Sequence, residues 1–560
     1  METTDKTGCK ILVELLVQKG IKRVVLSPGS RNAPLIIAFV REPRIEHFIV
    51  LDERSAAFIA LGMAQQSGDP VVLACTSGTA LLNYAPAVAE AFYQHLPLIV
   101  ISADRPEEWI DQNDSQTIRQ RDVFRNYVKA SYSFPAEINC NDEHWYINRM
   151  INEAINLSQD GLPGPVHINI PLREPLYRVK NYENPELERT VNTLYAEQQI
   201  GVEMMTELVN TIANYKKVMV LASFGTPDMT LNKSLEEIAG CCNVIVLTET
   251  VANLSSHKFI QTIDRVLSVM TQDEKKSLAP ELLITFGGSL ISKMVKTWLR
   301  NYPPIEHWHI SPSNHIVDTM QCLTRHIAVQ PCGFWRQLSG CIKDGKSNYA
   351  ELWQSLKLRA TYSHSKYIDT IPWCDLKAFS QLFPAIPEGA ALQLSNSTPV
   401  RYAQLFEYKQ MKRVDCNRGT SGIDGATSTA VGASWVNEEM TIFITGDMGF
   451  LYDSNALWSH YVTPKLKIVV MCNDGGGIFR FIQGPSELPE LEEFFETYRQ
   501  VDVEGFARLH GFSCWSVFDE QALQNVLPAF FAEKESASIL AIHTPRKVND
   551  CILNGYFRRK

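Results

Sequence analysis

The chain lacks an excess of positive charge: its 560 residues carry 53 Lys and Arg against 62 Asp and Glu, a formal net charge of −9. Non-specific binding to nucleic acid or anionic lipid needs a basic footprint, so neither is expected as a partner. An anionic substrate would have to meet Arg and Lys gathered locally in a cleft. No apolar run approaches the roughly 18 residues that span a bilayer, and the polar Met1 to Lys10 stretch does not read as a secretory leader. The 13 cysteines are scattered and include no Cys-x-x-Cys pair; adjacent Cys241 and Cys242 have poor chelate spacing. Zinc is therefore not expected, and thiols kept reduced in a cytoplasm are the simplest account. Gly-x-Gly-x-x-Gly is missing after the strands of the middle third, so nothing points to FAD or NAD. Repeats and low-complexity tracts are absent as well.

What is present is an ordinary folded composition, 45% hydrophobic and 21% charged, long enough for three or four domains. In the first third, Thr7 caps a helix with Ile11, Leu12, Leu15 and Leu16 at helical spacing, ending at Gly20. Apolar strands then follow at Val24 to Leu26, Phe48 to Leu51, Val71 to Ala74, Leu98 to Ile101 and Val166 to Ile170, alternating with helices. Continuous apolar strands of this kind belong to parallel sheets covered on both faces. In such sheets the polar residues just after each strand line the ligand crevice. Here they are Ser30, Arg31, Glu53, Thr76, Ser77, Asp104 and Arg105.

A polar stretch from Asn181 to Asn192 reads as a linker. Strands at Lys217 to Ala222, Val244 to Leu247 and Leu282 to Phe286 mark a second α/β domain. Another polar stretch, near Ser347 to Tyr362, leads into strands at Ala391 to Leu394, Thr441 to Thr445 and Leu466 to Cys472. The expected fold is α/β, with three doubly wound, mainly parallel-sheet domains at residues 1–180, 195–345 and 365–560.

The strongest chemical signal lies in the last domain. One strand ends in Gly446-Asp447, another in Asn473-Asp474-Gly475-Gly476-Gly477. Mg²⁺ favours an octahedron of oxygens, commonly a few protein donors plus substrate phosphates and water. The Asp447 carboxylate, the Asn473 amide oxygen and the Gly475 carbonyl would supply three of them, and a helix start after Gly446 would aim amides at phosphate. A lone Gly-Asp also fits a plain βα turn. Glu53, in Asp52-Glu53-Arg54 at a strand end, is a candidate acid–base carboxylate; a helix-start Glu that favours the dipole is the bland alternative. Basic residues in loops form a third set: Arg31, Arg105, Lys293, Arg401 and Arg418. Arg binds carboxylates bidentately, so their convergence would imply substrates with several carboxylates, while any one alone would be a surface ion pair. His307 and His309 in Glu306-His307-Trp308-His309 read as a strand-face pair without a third metal ligand, and Arg558-Arg559-Lys560 as a solvated tail.

The block from Gly446-Asp447-Met448 to Asn473-Asp474-Gly475 resembles the metal-binding signature of thiamine-diphosphate-dependent enzymes, with Met448 and Asp474 departing from its usual Gly and Asn. Within that superfamily, Ser27-Pro28-Gly29-Ser30-Arg31, Asp52-Glu53-Arg54, Thr76-Ser77-Gly78-Thr79-Ala80, Gly164-Pro165-Val166-His167-Ile168-Asn169 and Asn417-Arg418-Gly419-Thr420-Ser421-Gly422-Ile423-Asp424-Gly425 resemble the 2-succinyl-5-enolpyruvyl-6-hydroxy-3-cyclohexene-1-carboxylate synthase family of menaquinone biosynthesis. The resemblance runs through the first and last domains and is weak in the middle one. It implies thiamine diphosphate with Mg²⁺ (or Mn²⁺) as cofactors. Glu53 would face the aminopyrimidine N1′, Ile423 would prop the bent cofactor, and Thr79, Gly446, Asp447, Met448, Asn473, Gly475, Gly476 and Ile478 would complete its site. It implies 2-oxoglutarate and isochorismate as substrates: CO₂ leaves the first, and the succinyl carbanion adds to the second in a 1,4-addition. Ser30, Gln116, Ser397 and Phe479 join the basic residues as substrate contacts. Arg401 and Arg418 go to 2-oxoglutarate; Arg31, Arg105 and Lys293 go to isochorismate. Where the family often has Asn-Gln, this chain has Ser115-Gln116, which puts Ser115 in doubt. The resemblance also implies that Glu53 and Asp447 meet across a subunit interface, in a cytoplasmic homodimer or homotetramer. An acetohydroxyacid synthase-like carboligase would explain the metal loop but not the five cations.

Overall fold

Apolar runs too short for a helix become strands, and the amphipathic stretches between them become helices that cover both sheet faces. A computed structural model describes residues 2–182, 187–408, 410–481 and 484–558. By packing, these residues form two compact units. The first comprises Met1–Tyr195, Asn417–Thr441 and Tyr452–Leu466; the second comprises Ala196–Cys416, Ile442–Leu451 and Lys467–Lys560.

In the first unit, β1 (Glu2–Thr4) pairs antiparallel with a late strand described below. The main sheet holds β2 (Arg23–Leu26), β3 (Glu46–Ile49), β4 (Val71–Cys75), β5 (Leu98–Asp104), β6 (Ser131–Ser133) and β7 (Val166–Pro171). Its order is β3-β2-β4-β5-β7-β6, parallel throughout. The partner of β1 is β8 (Val179–Asn181). Because the chain leaves β2 towards one edge and returns to β4 on the other side, a crevice opens at the β2/β4 boundary, where ligands of such sheets bind. Gly29 is required there: a Cβ on it would stand 2.4 Å from Thr76 Cβ.

Helix Glu53–Ser67 crosses helix Ala426–Val436 within this unit at backbone contact. A Cβ on Gly62 would lie 2.1 Å from the Thr429 carbonyl oxygen, and one on Gly432 would lie 2.0 Å from that of Ile59. Buried Glu90 fastens the next loop, accepting from the Gly419 and Thr420 amides at 2.7 and 2.6 Å.

The second unit holds two sheets. Strands β9 (Val218–Ala222), β10 (Val244–Thr248), β11 (Leu282–Phe286), β12 (Glu306–Ile310) and β13 (Arg325–Ile327) run parallel in the order β10-β9-β11-β12-β13. Alternate residues feed opposite cores, Val218 and Val220 packing with Trp335, Met219 and Leu221 with Trp353. Strands β14 (Ala391–Leu394), β15 (Arg413–Cys416), β16 (Thr441–Gly446), β17 (Leu466–Cys472), β18 (Ser513–Val517) and β19 (Ser538–His543) form the other sheet, ordered β15-β14-β16-β17-β19-β18. Its switch point falls at β14/β16, beside Asp447. Three doubly wound, mainly parallel sheets are thus what the chain forms.

Several local expectations are corrected. Thr7 is the first helical residue rather than the cap; Lys6 holds the cap position without a side-chain bond. Ser102, Ala103 and Asp104 extend β5 instead of forming its loop, because β7 is long enough to pair with them. The β3 strand stops at Ile49, opposite the last β2 residue, and leaves Leu51 65% exposed. The polar Ser347–Tyr362 stretch is mostly helix Tyr349–Thr370, whose buried Tyr349, Trp353, Leu356, Ala360, His364 and Ile368 share one face. Residues 183–186 of the Asn181–Asn192 linker, and 559–560 of the basic tail, lie outside the described residues. The rest of that linker is held down, with Val191 N donating to Asn152 Oδ1 at 2.7 Å. His307 and His309 both bond the Thr285 hydroxyl at 2.9 Å, and burial lowers both pKa values to about 4. That is core packing. Among the described residues no helix is long and apolar enough to cross a membrane.

Candidate active site

In the second unit, β16 delivers Asp447 to the start of helix Asp447–Tyr452, 2% exposed. One carboxylate oxygen accepts from Met448 N at 2.7 Å, the other from Asn473 N and Gly475 N at 3.2 Å each. Burial raises its pKa to about 7 against the pull of these amides, with Asp375 adding to the rise. A divalent cation would hold such a carboxylate ionised. Asn473 donates its side-chain Nδ2 to Asp375 Oδ2 at 3.0 Å, which commits the amide nitrogen and leaves its oxygen for a cation. Asp375 is itself fixed by Thr544 Oγ1 at 2.6 Å. Asp474 at φ 63° and Gly475 at φ 140° bend the chain back, and a Cβ on Gly475 would sit 2.9 Å from the Glu496 carbonyl oxygen. Nothing lies within 4 Å of a Cβ built on Gly446, so the turn faces open space. Asp447, Asn473 and the 473–475 backbone therefore fit a hard cation and a phosphate.

Beyond the metal loop, Ile478 lies in the Gly477–Arg480 turn with Phe479, whose ring stands 5.8 Å from Phe495. Ile478 also lines a cavity of about 530 Å³ with Lys293, Arg401, Asp264, Thr398 and Phe557. Ser397, at φ 77°, holds the N-cap position of the short helix that carries Arg401, without a side-chain capping bond. Lys293 opens helix Lys293–Asn301, capped by Ser292. Lys293 and Arg401, expected from the sequence to serve different substrates, face one cavity.

In the first unit, Glu53 is the first residue of its helix and half-buried; Asp52 caps the helix by accepting from Ser55 N at 3.1 Å. Burial raises the Glu53 pKa, with the neighbouring Asp52 charge adding to the rise. The Ser55, Thr76 and Ser77 hydroxyls are buried without a hydrogen-bond partner. Buried donors without partners are rare in a finished core, so this crevice fits a polar ligand. Thr79 is exposed at the following helix start. Ile423 is half-exposed in the loop before Gly425, where a Cβ would collide with the Phe58 ring. Arg418 is half-buried in the same loop.

A cavity of about 480 Å³ in this unit brings together Arg31, Arg105 and Arg173. Arg31 is 6% exposed, bonded to the Leu172 carbonyl at 3.0 Å and to Glu174 at 3.3 Å. Arg105 meets Asp114 at 2.7 Å. Ser30 is exposed beside Arg31, and Gln116, at φ 56°, is exposed where its backbone touches Gly78. Arg173 was missed in the sequence, although it follows β7 at the kind of strand end that named the others. Gln120 was missed too: buried, it accepts from Gly78 N at 2.8 Å and donates to Asn169 Oδ1 at 2.9 Å, shaping the turn before Thr79.

The N-terminal TPP binding domain of thiamine pyrophosphate enzymes matches residues 6–123, and their C-terminal TPP binding domain matches residues 397–541. A 2-succinyl-5-enolpyruvyl-6-hydroxy-3-cyclohexene-1-carboxylate synthase of Porphyromonas gingivalis is 45% identical over 99% of this chain and 97% of its own. Proteins of the same name from Flavobacterium psychrophilum and Christiangramia forsetii are 41% and 40% identical, each over 98% of this chain and over 98% and 97% of their own.

Proposed function

The chain belongs to the 2-succinyl-5-enolpyruvyl-6-hydroxy-3-cyclohexene-1-carboxylate synthase family of thiamine-diphosphate enzymes, and from that premise we propose how its residues divide the work. The enzyme releases CO₂ from 2-oxoglutarate and joins the succinyl unit to isochorismate in menaquinone biosynthesis. Thiamine diphosphate, when bound, supplies the carbon nucleophile for this chemistry. Asp447, Asn473 and the Gly475 carbonyl hold Mg²⁺, and Gly446, Met448 and Gly476 give backbone room for the diphosphate. Glu53 addresses the pyrimidine N1′; its raised pKa lets its carboxyl keep and share a proton nearer neutrality than an ordinary Glu does. Thr79, Ile423 and Ile478 shape the rest of the cofactor site.

One observation carries the substrate reading: in a chain of net charge −9, Arg31, Arg105 and Arg173 surround one cavity while Lys293 and Arg401 line another. Arg401, with Arg418 and Ser397, takes the distal carboxylate of 2-oxoglutarate. Arg31, Arg105 and Lys293, with Ser30, Gln116 and Phe479, take the two carboxylates of isochorismate. Lys293 and Arg401 sharing one cavity suits a reaction in which the two acids must come within bonding distance. The reading includes a cytoplasmic homodimer or homotetramer, as the family resemblance implies, and sedimentation tests its assembly.

The test uses purified enzyme with thiamine diphosphate, Mg²⁺ and both acids, following isochorismate loss and CO₂ release. The decarboxylation half-reaction is read separately, without isochorismate, using an artificial electron acceptor. Arg401→Ala should weaken 2-oxoglutarate saturation of the half-reaction, on the scale of about 2–5 kcal/mol for a lost buried charge partner. Arg105→Ala should leave the half-reaction nearly normal and impair addition to isochorismate. Equal damage from both, or exchanged effects, would refute this division.

A further inference from the structure

Lys293 and Arg401 come from elements far apart in sequence, and a single buried carboxylate ties both down. Glu249 follows β10 and is 0% exposed. Its Oε1 accepts from Ser292 N at 2.7 Å and from Ile291 N at 2.9 Å; its Oε2 also meets Ile291 N at 2.9 Å. Those amides immediately precede Lys293, at the start of the Lys293–Asn301 helix. The same Oε1 accepts from Gln404 Nε2 at 3.0 Å, and Gln404 Oε1 accepts in return from Thr250 N at 2.8 Å. Gln404 is the C-cap of helix Thr398–Ala403, which carries Arg401. Arg265 reinforces this join by donating to the Leu405 carbonyl. A second, half-buried acid, Asp264, accepts from the Ser292 hydroxyl, which also caps Val295 N at 3.1 Å; Asp264 lines the cavity with Lys293 and Arg401.

We propose that Glu249 is a positioning residue that sets the separation of Lys293 and Arg401, and through it the fit of the two acids in the shared cavity. The inference rests on the reading that those two cations hold substrate carboxylates. The physical case is one of donors and acceptors. Ile291, Ser292 and Gln404 each present an N–H to the Glu249 carboxylate, which, with acceptors only, satisfies all three. A glutamine at 249 with its oxygen in the Oε1 place turns its N–H against Ile291 N–H; with its amide nitrogen there it faces the Ser292 and Gln404 N–H groups as well. The first setting crowds the loop before Lys293, and the second also breaks the tie to the helix bearing Arg401. Buried far from solvent and not lining the cavity, Glu249 has no direct part in the chemistry.

The arrangement provides its own rescue. In the double variant Glu249→Gln with Gln404→Glu, the glutamine amide in the Oε1 place donates to the new carboxylate, its oxygen in the Oε2 place accepts from Ile291 N, and only the Ser292 amide loses its acceptor. That carboxylate still accepts from Thr250 N. The experiment measures KM for 2-oxoglutarate and for isochorismate, kcat, thiamine diphosphate binding and thermal unfolding for wild type, E249Q and the swap. E249Q is expected to raise KM for both acids about tenfold, the scale of one charge-assisted hydrogen bond, with a smaller change in kcat and unaltered cofactor binding. The swap is expected to recover part of the loss, because the tie to the Arg401 helix is restored. Wild-type KM values in E249Q, or a swap no better than E249Q, overturn the proposal. Should E249Q fail to fold, Gln404→Leu carries the same test, since it cuts only the tie to the Arg401 helix: a raised KM for 2-oxoglutarate supports the proposal and an unchanged one overturns it. Lys293→Ala and Arg401→Ala are measured alongside. If neither shifts either KM, the assignment of the cavity to substrate fails; if they do and E249Q does not, only the positioning role falls.

Discussion

At the scale of the residue, strand-end chemistry was legible and its supports were not. Glu53, Asp447 and Asn473 stand where a strand gives way to a loop, the end of a doubly wound sheet at which ligands bind. Asp375 had no such flag: it starts a helix after Cys374, in no motif, and its purpose is visible only because Asn473 Nδ2 and Thr544 Oγ1 converge on it. Supporting groups of this kind orient the atoms that touch a metal and typically matter about 10–100-fold to its affinity. Asp375→Ala would free the Asn473 amide to rotate. The Mg²⁺ concentration that half-saturates thiamine diphosphate binding, followed by tryptophan fluorescence, should then rise by at least about tenfold, with little change in the melting of the metal-free protein. An unmoved Mg²⁺ midpoint would mean that the orientation of Asn473 is set elsewhere.

Among the elements, the strands were the easiest to read because burial on both faces leaves nearly unbroken apolar runs such as Leu282–Phe286 and Leu466–Cys472. Helix Tyr349–Thr370 reads as a polar stretch in the sequence because composition averages over its faces, and only one face is apolar. Helix-on-helix docking was the least legible of all. Gly62 and Gly432 look like ordinary small residues until each is seen lying against the other helix's backbone. That crossing brings together the helix that starts with Glu53 and the helix that follows the Ile423 loop. Gly432→Ala would put a methyl group 2.0 Å from the Ile59 carbonyl oxygen, so the helices must part. Overpacking of this sort costs about 1–3 kcal/mol, and the urea midpoint should fall accordingly. Cofactor affinity should fall with it, since Glu53 sits on the displaced helix. A midpoint equal to that of wild type would show that the crossing has slack that the close contact denies.

For the whole molecule, the buried carboxyls matter beyond the active site, because together they tilt stability with pH. Burial raises the pKa of Asp453 to about 7, against the pull of the Ser428 amide and hydroxyl at 2.7 and 2.9 Å and of Arg54 at 3.9 Å. Its unfolded value is near 3.8. The fold therefore prefers the protonated acid: the contribution is complete below about pH 4 and is lost as pH rises through about 7. Buried histidines act the other way. His167, held near 4 by burial, costs stability as pH falls below its unfolded value near 6.5. Opposing slopes in one window hide any single group in the raw melting curve, so the informative quantity is a difference. Asp453→Asn removes one titration and leaves the histidines in place. At about pH 5 the variant should melt below wild type, having exchanged a carboxyl for an amide that matches Ser428 less well. By about pH 8 the gap should narrow or reverse, because only the wild type then holds a buried charge beside Ser428 with Arg54 as its distant partner. A melting difference that stays constant from about pH 5 to about pH 8 would mean that Asp453 is ionised throughout, and that Arg54 and Ser428 together outweigh its burial.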